Sequence, residues 1–437
     1  MNLLSTIFYT AIMHGVLIFI HEIGHFIAAK LTRMRVDRFS IGFPPRAFGK
    51  KIGDTDYCIS WIPIGGYVKI AGMVDESMDT AYINSEPQPW EFRSRPMWAR
   101  MLVISAGVIM NLLLALFIFW GIHFSRGTYI AETTEIGYVF PGSPFEKAGL
   151  QPGDKILTIN GKKVTRWIDL QNEIYIENLG DEIKIEFERN NQFQKITIPP
   201  GEIAVPSDTS IGLMVAHTKT LIEAVEPQMP ASDMGLKAGD TILTVNNIAV
   251  NQMKAIEIIR SNAGKEISIS WKRGDEIFDG STKVTPEGRI GIRIASVYTG
   301  PSTYVRFTIF QAFGEAFKDI GQSMRLFYLT FKKIFTGKAS VKESLGGPIA
   351  IAQLTTQTAE IGFLAFLWFM AQLSISLALL NILPIPALDG GHLMILIYEK
   401  IFKKEIPTKV KIAIQQVGFI ILMALMAFII YNDLSRF

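Results

Sequence analysis

The stretch Leu17-Ile18-Phe19-Ile20-His21-Glu22-Ile23-Gly24-His25 joins an apolar run to two histidines four positions apart. Residues 1–20 carry no Asp, Glu, Lys or Arg, and at about 1.5 Å per helical residue such a run reaches across a hydrocarbon core of about 30 Å. In a helix His21 and His25 lie one turn apart on one face, so both imidazoles can reach one Zn²⁺. Glu22 falls beside them, where it can take a proton from metal-bound water. A charge at the centre of a span costs on the order of 2.5–3.5 kcal/mol and is usually functional. The plainer alternative is a border position, with Glu22 snorkelling or paired to a loop. A cleaved signal sequence would start with basic residues and end at a small-residue cleavage site; neither is found here, so the run reads as a retained helix. His14, flanked by apolar residues, reads as a core histidine rather than a ligand.

Working outward, three further stretches without Asp, Glu, Lys or Arg cover residues 101–125, 361–388 and 412–432. Four spans suit a chain of 437 residues that is 49% hydrophobic with a mean hydropathy of +0.27, more apolar than a soluble enzyme needs. The net charge is only +3 and no basic cluster is interleaved with aromatics, which argues against a nucleic-acid partner. Cys58 is the sole cysteine, so an intrachain disulfide and a thiolate cage are excluded, and a metal must be held by His and carboxylate. Residues 31–100 carry ten Lys/Arg and residues 389–411 five, which places both loops on the cytoplasmic side. Both termini and the 126–360 segment then face the other side, the periplasm in a bacterium.

That segment repeats itself. Ala148-Gly149-Leu150-Gln151-Pro152-Gly153-Asp154 aligns without gaps on Met234-Gly235-Leu236-Lys237-Ala238-Gly239-Asp240, each followed by an apolar strand and an Asn160-Gly161 or Asn246-Asn247 turn. Ile211-Gly212-Leu213 is echoed by Ile290-Gly291-Ile292. Two small, mainly β domains follow from the turn chemistry, and the pattern resembles tandem PDZ domains, which take an extended peptide or chain terminus at a sheet edge; a steric filter with empty grooves is the alternative. Phe310, Phe313, Phe317, Ile320, Met324, Phe327, Phe331 and Ile334 mark an amphipathic helix over 305–336, lying on the membrane surface or packed against the PDZ pair. Gly346-Gly347-Pro348 breaks the chain before the third span. Residues 54–72 alternate as a β-hairpin whose apolar content suits a loop dipping into the membrane.

A catalytic zinc keeps three protein ligands and one open position. The third candidate is Asp389, in Asn381-Ile382-Leu383-Pro384-Ile385-Pro386-Ala387-Leu388-Asp389-Gly390, where two prolines break the helix and free backbone to line a polar cavity. His392 competes, and Asp389 could instead cap a following helix; composition leaves these open. HExxH in a first span, Asn-x-x-Pro-x-Pro-x-Leu-Asp-Gly in a late one and PDZ-like modules between them resemble the site-2 protease family. The likeness extends to Arg38-Phe39-Ser40-Ile41-Gly42-Phe43, Pro63 to Lys69 and the closing Asn432-Asp433-Leu434-Ser435-Arg436.

The resemblance implies a zinc-dependent intramembrane protease. Its implied zinc ligands are His21, His25 and Asp389, with Glu22 as general base and Asn381 beside the substrate carbonyl. It further implies a membrane-associated β region at 54–72 whose Gly65, Gly66, Tyr67 and Val68 pair with an extended substrate strand. The implied substrates are single-span membrane proteins: an anti-sigma factor already trimmed on its outer side, and remnant signal peptides. Ala106-Gly107-Val108-Ile109-Met110-Asn111 departs from many members, which have proline at the Val108 position; this concerns a bend in the second span, not the chemistry. The expected architecture is a four-span α-helical membrane protein of the bacterial inner membrane, with a membrane-associated β region and two periplasmic PDZ-like domains. Its boundaries are a first span at 1–32, a cytoplasmic loop with the β region at 33–99, a second span at 100–125, PDZ-like domains at 126–216 and 217–298, an amphipathic helix and linker at 299–360, a third span at 361–392, a cytoplasmic loop at 393–411 and a fourth span with tail at 412–437. A metal-free scaffold would tolerate Glu22→Gln. A zinc transporter would need ligands along a continuous path, for which His14 is the one extra candidate in the first helix.

Overall fold

The computed structural model describes residues 3–73, 86–178, 180–203, 212–336 and 347–434; Ile211, Gly346 and Ser435-Arg436 of the sequence motifs lie outside them. The chain divides into two units, residues 1–127 with 306–437, and residues 128–305.

In the first unit, α1 (Leu3–Leu31), α2 (Met97–Arg126), α3 (Ile309–Phe335), α4 (Pro348–Ile361), α5 (Phe363–Asn381), α6 (Asp389–Phe402) and α7 (Thr408–Leu434) follow in order. α1, α2, α5 and α7 are long and apolar enough to cross a membrane. α1 does not stop at Ile20 but runs through HExxH to Leu31, because Gly24, Ala28 and Ala29 supply a small-residue face that packs inward. A Cβ on Gly24 would come within 2.5 Å of the Ala106 carbonyl, so glycine there lets α1 and α2 meet backbone to backbone. α2 is one continuous helix through Val108.

Two expectations change. The third span, expected at 361–392 with its charge-free run reaching Leu388, ends as a helix at Asn381. Pro384 and Pro386 have no N–H to continue the ladder, so residues 382–388 form a tight turn stitched by Ile385 N–H to Leu383 O (2.7 Å) and Leu388 N–H to Ile385 O (3.2 Å), and α6 starts at Asp389. The segment read as a linker also holds α4. Its N-terminus is capped from the far end of the chain: the buried Asp433 carboxylate of α7 accepts the N–H groups of Gly347 (3.0 Å), Ile349 (3.0 Å) and Ala350 (3.3 Å).

The amphipathic helix is α3, opened by a Thr308–Gln311 capping box. Ala316 and Ile320 bury themselves among Ala115, Leu116 and Phe119 of α2 and Ala371 and Ile375 of α5. The Trp120 indole donates to Ile309 O at 2.9 Å. Phe310, Phe317 and Tyr328 remain exposed on the other side.

Beside α1 lies a sheet of two long strands, β1 (Val36–Ile52) and β2 (Thr55–Ile70). The hairpin read within 54–72 is therefore one strand of a larger one, turning at 53–54; Pro44-Pro45 and the glycines of β1 hid its partner's alternation. Each strand bends on itself, so residues 38–41 are flanked by 56–59 on one side and by 66–69 on the other. Residues 66–69 form the outer rung, and among the described residues no further strand pairs with them. Val36, Phe39, Val68 and Ile70 pack with Ala28, Ala29, Val103, Ile104 and Leu396 in one core.

The second unit begins with β3 (Thr128–Ala131) and ends with β16 (Ser302–Val305), which pair with each other. Between them come β4 (Ile136–Val139), β5 (Lys155–Ile159), β6 (Lys162–Lys163), β7 (Ile183–Arg189), β8 (Gln192–Ile198) and β9 (Leu213–Val215), then β10 (Thr218–Val225), β11 (Thr241–Val245), β12 (Ile248–Ala249), β13 (Glu266–Arg273), β14 (Glu276–Lys283) and β15 (Ile292–Tyr298). One sheet runs β6-β5-β7-β8 and another β14-β13-β11-β10-β15, with β12 on β11. The sequence repeat has a geometric counterpart that its motif did not include. Buried Asp154 is gripped by the Arg189 guanidinium at 2.6 and 2.7 Å, and Arg189 also donates to Gly149 O. Asp240, Arg273 and Gly235 repeat this arrangement at 2.7 Å throughout. Each aspartate also accepts a backbone N–H at 2.8 Å, from Gln151 or Lys237. Burial alone would raise the Asp240 carboxyl; Arg273 and the Lys237 N–H outweigh it and hold it below the ordinary carboxylate value. Asn160, Gly161, Asn246 and Asn247 all have positive φ, as two-residue type I′ turns require.

Candidate metal centre

His21 and His25 project from the C-terminal half of α1 with their Nε2 atoms 3.2 Å apart. Asp389, the first residue of α6, brings Oδ2 to 3.3 Å from His21 Nε2 and 3.5 Å from His25 Nε2. These three are the group of His, Cys, Asp and Glu among the described residues able to hold an ion. A tetrahedral zinc with bonds of about 2.0–2.1 Å spaces its ligand atoms about 3.3–3.4 Å apart, so the triangle has the right size. The donor set, two imidazoles and a carboxylate, is also one that catalytic zinc uses. Asp389 Oδ2 is buried, and the groups facing it are the two imidazole Nε2 atoms; where a ring turns its Nε2 lone pair toward the carboxylate, a cation between the three atoms removes the repulsion and compensates the buried charge. The residues present fit a zinc ion.

The broken α5–α6 corner puts the carboxylate there. Gly390 and Gly391 sit against the carbonyls of Ile382, Leu383 and Ile385, a fold-back that a Cβ at either position would block. His25 Nδ1 lies 2.8 Å from Val103 O; the ring N–H donates to that carbonyl and leaves the Nε2 lone pair for a metal. His21 Nδ1 lies 3.1 Å from the Asn111 side-chain amide. Asn381, last residue of α5, places Nδ2 3.4 Å from His21 Nε2. Glu22 is half-buried, and the outer rung of the sheet passes next to it: a Cβ on Gly66 would fall 3.0 Å from Glu22 Cγ and 2.9 Å from Ile18 Cγ2. Tyr67 and Val68, the next residues of the rung, are buried, and a Cβ on Gly65 would strike the Phe43 ring.

Neither competing histidine belongs to this triangle. His14 Nδ1 donates within its own helix to Thr10 O at 3.0 Å, and His392 meets the Gln415 amide of α7 at 2.6 Å.

Two residues of the second span were not singled out by sequence reasoning. A Cβ on Gly107 would fall 2.6 Å from His21 Cε1, 2.7 Å from His21 Nε2 and closer still to His25 Nε2. Asn111 is fully buried. Its signal was available: it is the one side-chain amide in the 101–125 run, and a buried amide among apolar residues needs a partner.

A family model described as Peptidase family M50 matches residues 9–425. A Vibrio cholerae protein classed by name among zinc metalloproteases is 31% identical over 97% of this chain and 96% of its own length. The regulator of sigma-E protease RseP of Escherichia coli is 30% identical over 97% of this chain and 96% of its own. A solved PDZ domain of Listeria monocytogenes is 28% identical to 18% of this chain, over 92% of that domain, with a TM-score of 0.17.

Proposed function

Since the chain belongs to peptidase family M50 and is a zinc metalloprotease of the site-2 type, we propose that it hydrolyses a peptide bond within the membrane-spanning segment of single-span substrates. The observation that carries this is the convergence of His21 and His25, on a helix of membrane length, with Asp389, which opens the short α6 just beyond the membrane-length α5. In this reading the three hold zinc, which lowers the pKa of water toward about 7 and polarises the scissile carbonyl. Glu22, one residue from a ligand, accepts the proton of the attacking water and passes it to the leaving amine. Asn381, facing the same space, donates to the oxygen on which charge develops.

A helical substrate shields its carbonyls, so it must be opened before attack. The outer rung, with Gly66, Tyr67 and Val68 and Gly65 just before it, passes Glu22 at Gly66. An extended substrate added there as a further strand is held by main-chain hydrogen bonds with its carbonyls in reach of the base.

The names of relatives such as the Escherichia coli regulator of sigma-E protease support an anti-sigma factor, trimmed beforehand on its outer side, as a substrate whose cleavage activates an extracytoplasmic stress response. Remnant signal peptides are the second class. The proposed setting is the bacterial inner membrane, with both termini and residues 128–305 in the periplasm. There the two PDZ-like repeats take a peptide terminus or exclude substrates that keep a bulky outer domain.

Co-expression with a tagged single-span substrate tests the core of this. Wild type is expected to cleave; Glu22→Gln to retain zinc without cleaving; Asp389→Ala to lose both. Cleavage by Glu22→Gln at the wild-type rate would remove the assignment.

A further inference from the structure

We infer that Asn111 is a positioning residue for the metal centre, fixing the ring tautomer of His21 by accepting its Nδ1–H; this rests on the reading of His21 as a zinc ligand. Asn111 is 0% exposed in the middle of α2, and its amide nitrogen lies 3.1 Å from His21 Nδ1 while its Oδ1 is buried without a hydrogen-bond partner among the described residues. In that orientation the amide donates to an Nδ1 lone pair, so the single proton of the neutral ring sits on Nε2, aimed at Asp389 Oδ2. A ring that gives its Nε2 lone pair to an ion must carry that proton on Nδ1 instead. A half-turn of the amide then brings the partnerless Oδ1 to face it. Asn can serve both tautomers, because one end donates and the other accepts; Leu can serve neither and Asp only the metal-holding one.

The position is also anchored. Ser374 of α5, itself fully buried, donates to the Asn111 backbone carbonyl at 2.8 Å, tying the amide's base to the helix that ends in Asn381. His25 has its own acceptor in Val103 O, so both candidate ligands are oriented from α2, one by backbone and one by this side chain. Partners of this kind typically change metal affinity 10–100-fold when removed.

The test uses the full-length protein in detergent, stripped of metal and titrated with Zn²⁺ against a chromophoric chelator. Co²⁺ is read separately by its visible spectrum, and thermal midpoints are taken without metal. Asn111→Leu is expected to weaken zinc binding 10–100-fold and shift the Co²⁺ spectrum. Asn111→Asp is expected to keep zinc affinity near wild type. A packing role alone would instead move the metal-free midpoint in step with affinity. Wild-type zinc affinity in Asn111→Leu overturns the inference. So does an Asn111→Asp protein that melts like wild type yet binds zinc as poorly as the Leu variant, and this arm decides the matter even if the Leu protein does not accumulate. His21→Ala separates the two levels: if it still binds zinc as wild type does, the metal site itself is wrong.

Discussion

Gly107→Ala adds a single methyl group at the point where α2 meets both imidazoles. The new Cβ would sit 2.6–2.7 Å from His21 ring atoms and nearer still to His25 Nε2. Restoring ordinary contact takes a displacement on the order of 1 Å of either the rings or the helix, and a 1 Å misplacement of reacting groups costs about 10²-fold in rate, or about 2.7 kcal/mol of barrier. The effect on folding is smaller: overpacking costs about 1–3 kcal/mol, partly offset by the gain of about 0.8–1.0 kcal/mol from replacing Gly by Ala within a helix. Gly121 lies on the same helix with nothing within 4 Å of its ideal Cβ, so Gly121→Ala is a matched control. The expected result is a fall of about a hundredfold in cleavage of a tagged single-span reporter, with weakened zinc retention, for Gly107→Ala and neither effect for Gly121→Ala. Wild-type cleavage and zinc content in the Gly107 variant would refute the close approach on which the site is built.

Gly66→Ala places a methyl 3.0 Å from Glu22 Cγ and from Ser40 O; it is expected to lower cleavage on the order of tenfold by shifting the outer rung while zinc content stays unchanged. Asp240→Asn removes one partner of a buried pair, and because Arg273 keeps about a third of its side chain exposed the loss falls at or below the lower end of about 3–5 kcal/mol, measurable as faster proteolysis of the 218–298 repeat. The depressed Asp240 carboxyl contributes stability that is present above the unfolded value of about 3.9 and lost as pH falls through the lower folded value, so wild type should hold this repeat at pH 5 and loosen it well below pH 4, whereas Asp240→Asn should show a flatter acid limb. Asp433→Ala strips three N–H acceptances from the start of α4 and should cost up to about 2 kcal/mol, read as a lower thermal midpoint in detergent.

The sequence made some features plain because their physics is local. Charge-free length marks spans, HExxH places two imidazoles on one helix face, and Asn-Gly or Asn-Asn turns mark hairpins. Asp389 was left open against His392 and against a capping role, since nothing local says which side chain folds back to α1; the answer lies in Gly390 and Gly391, which let the corner close. β1 escaped because its bend at Pro44-Pro45 interrupts the two-residue period, and a strand paired on both sides shows weak alternation. Arg189 and Arg273 were missed because each lies more than thirty residues beyond the aspartate it grips, outside any motif window. α4 was hidden for a similar reason: the carboxylate that starts it comes from Asp433.

Thr128 pairs with Val305 and Ala131 with Ser302, so the chain enters and leaves the 128–305 unit through adjacent strands. Such a module can be lengthened, duplicated or excised in the gene while the two cut ends remain close enough to rejoin by a short turn. Its two repeats already share one plan, each with a buried aspartate held by an arginine, and a change in their number would leave the paired entry strands as they are.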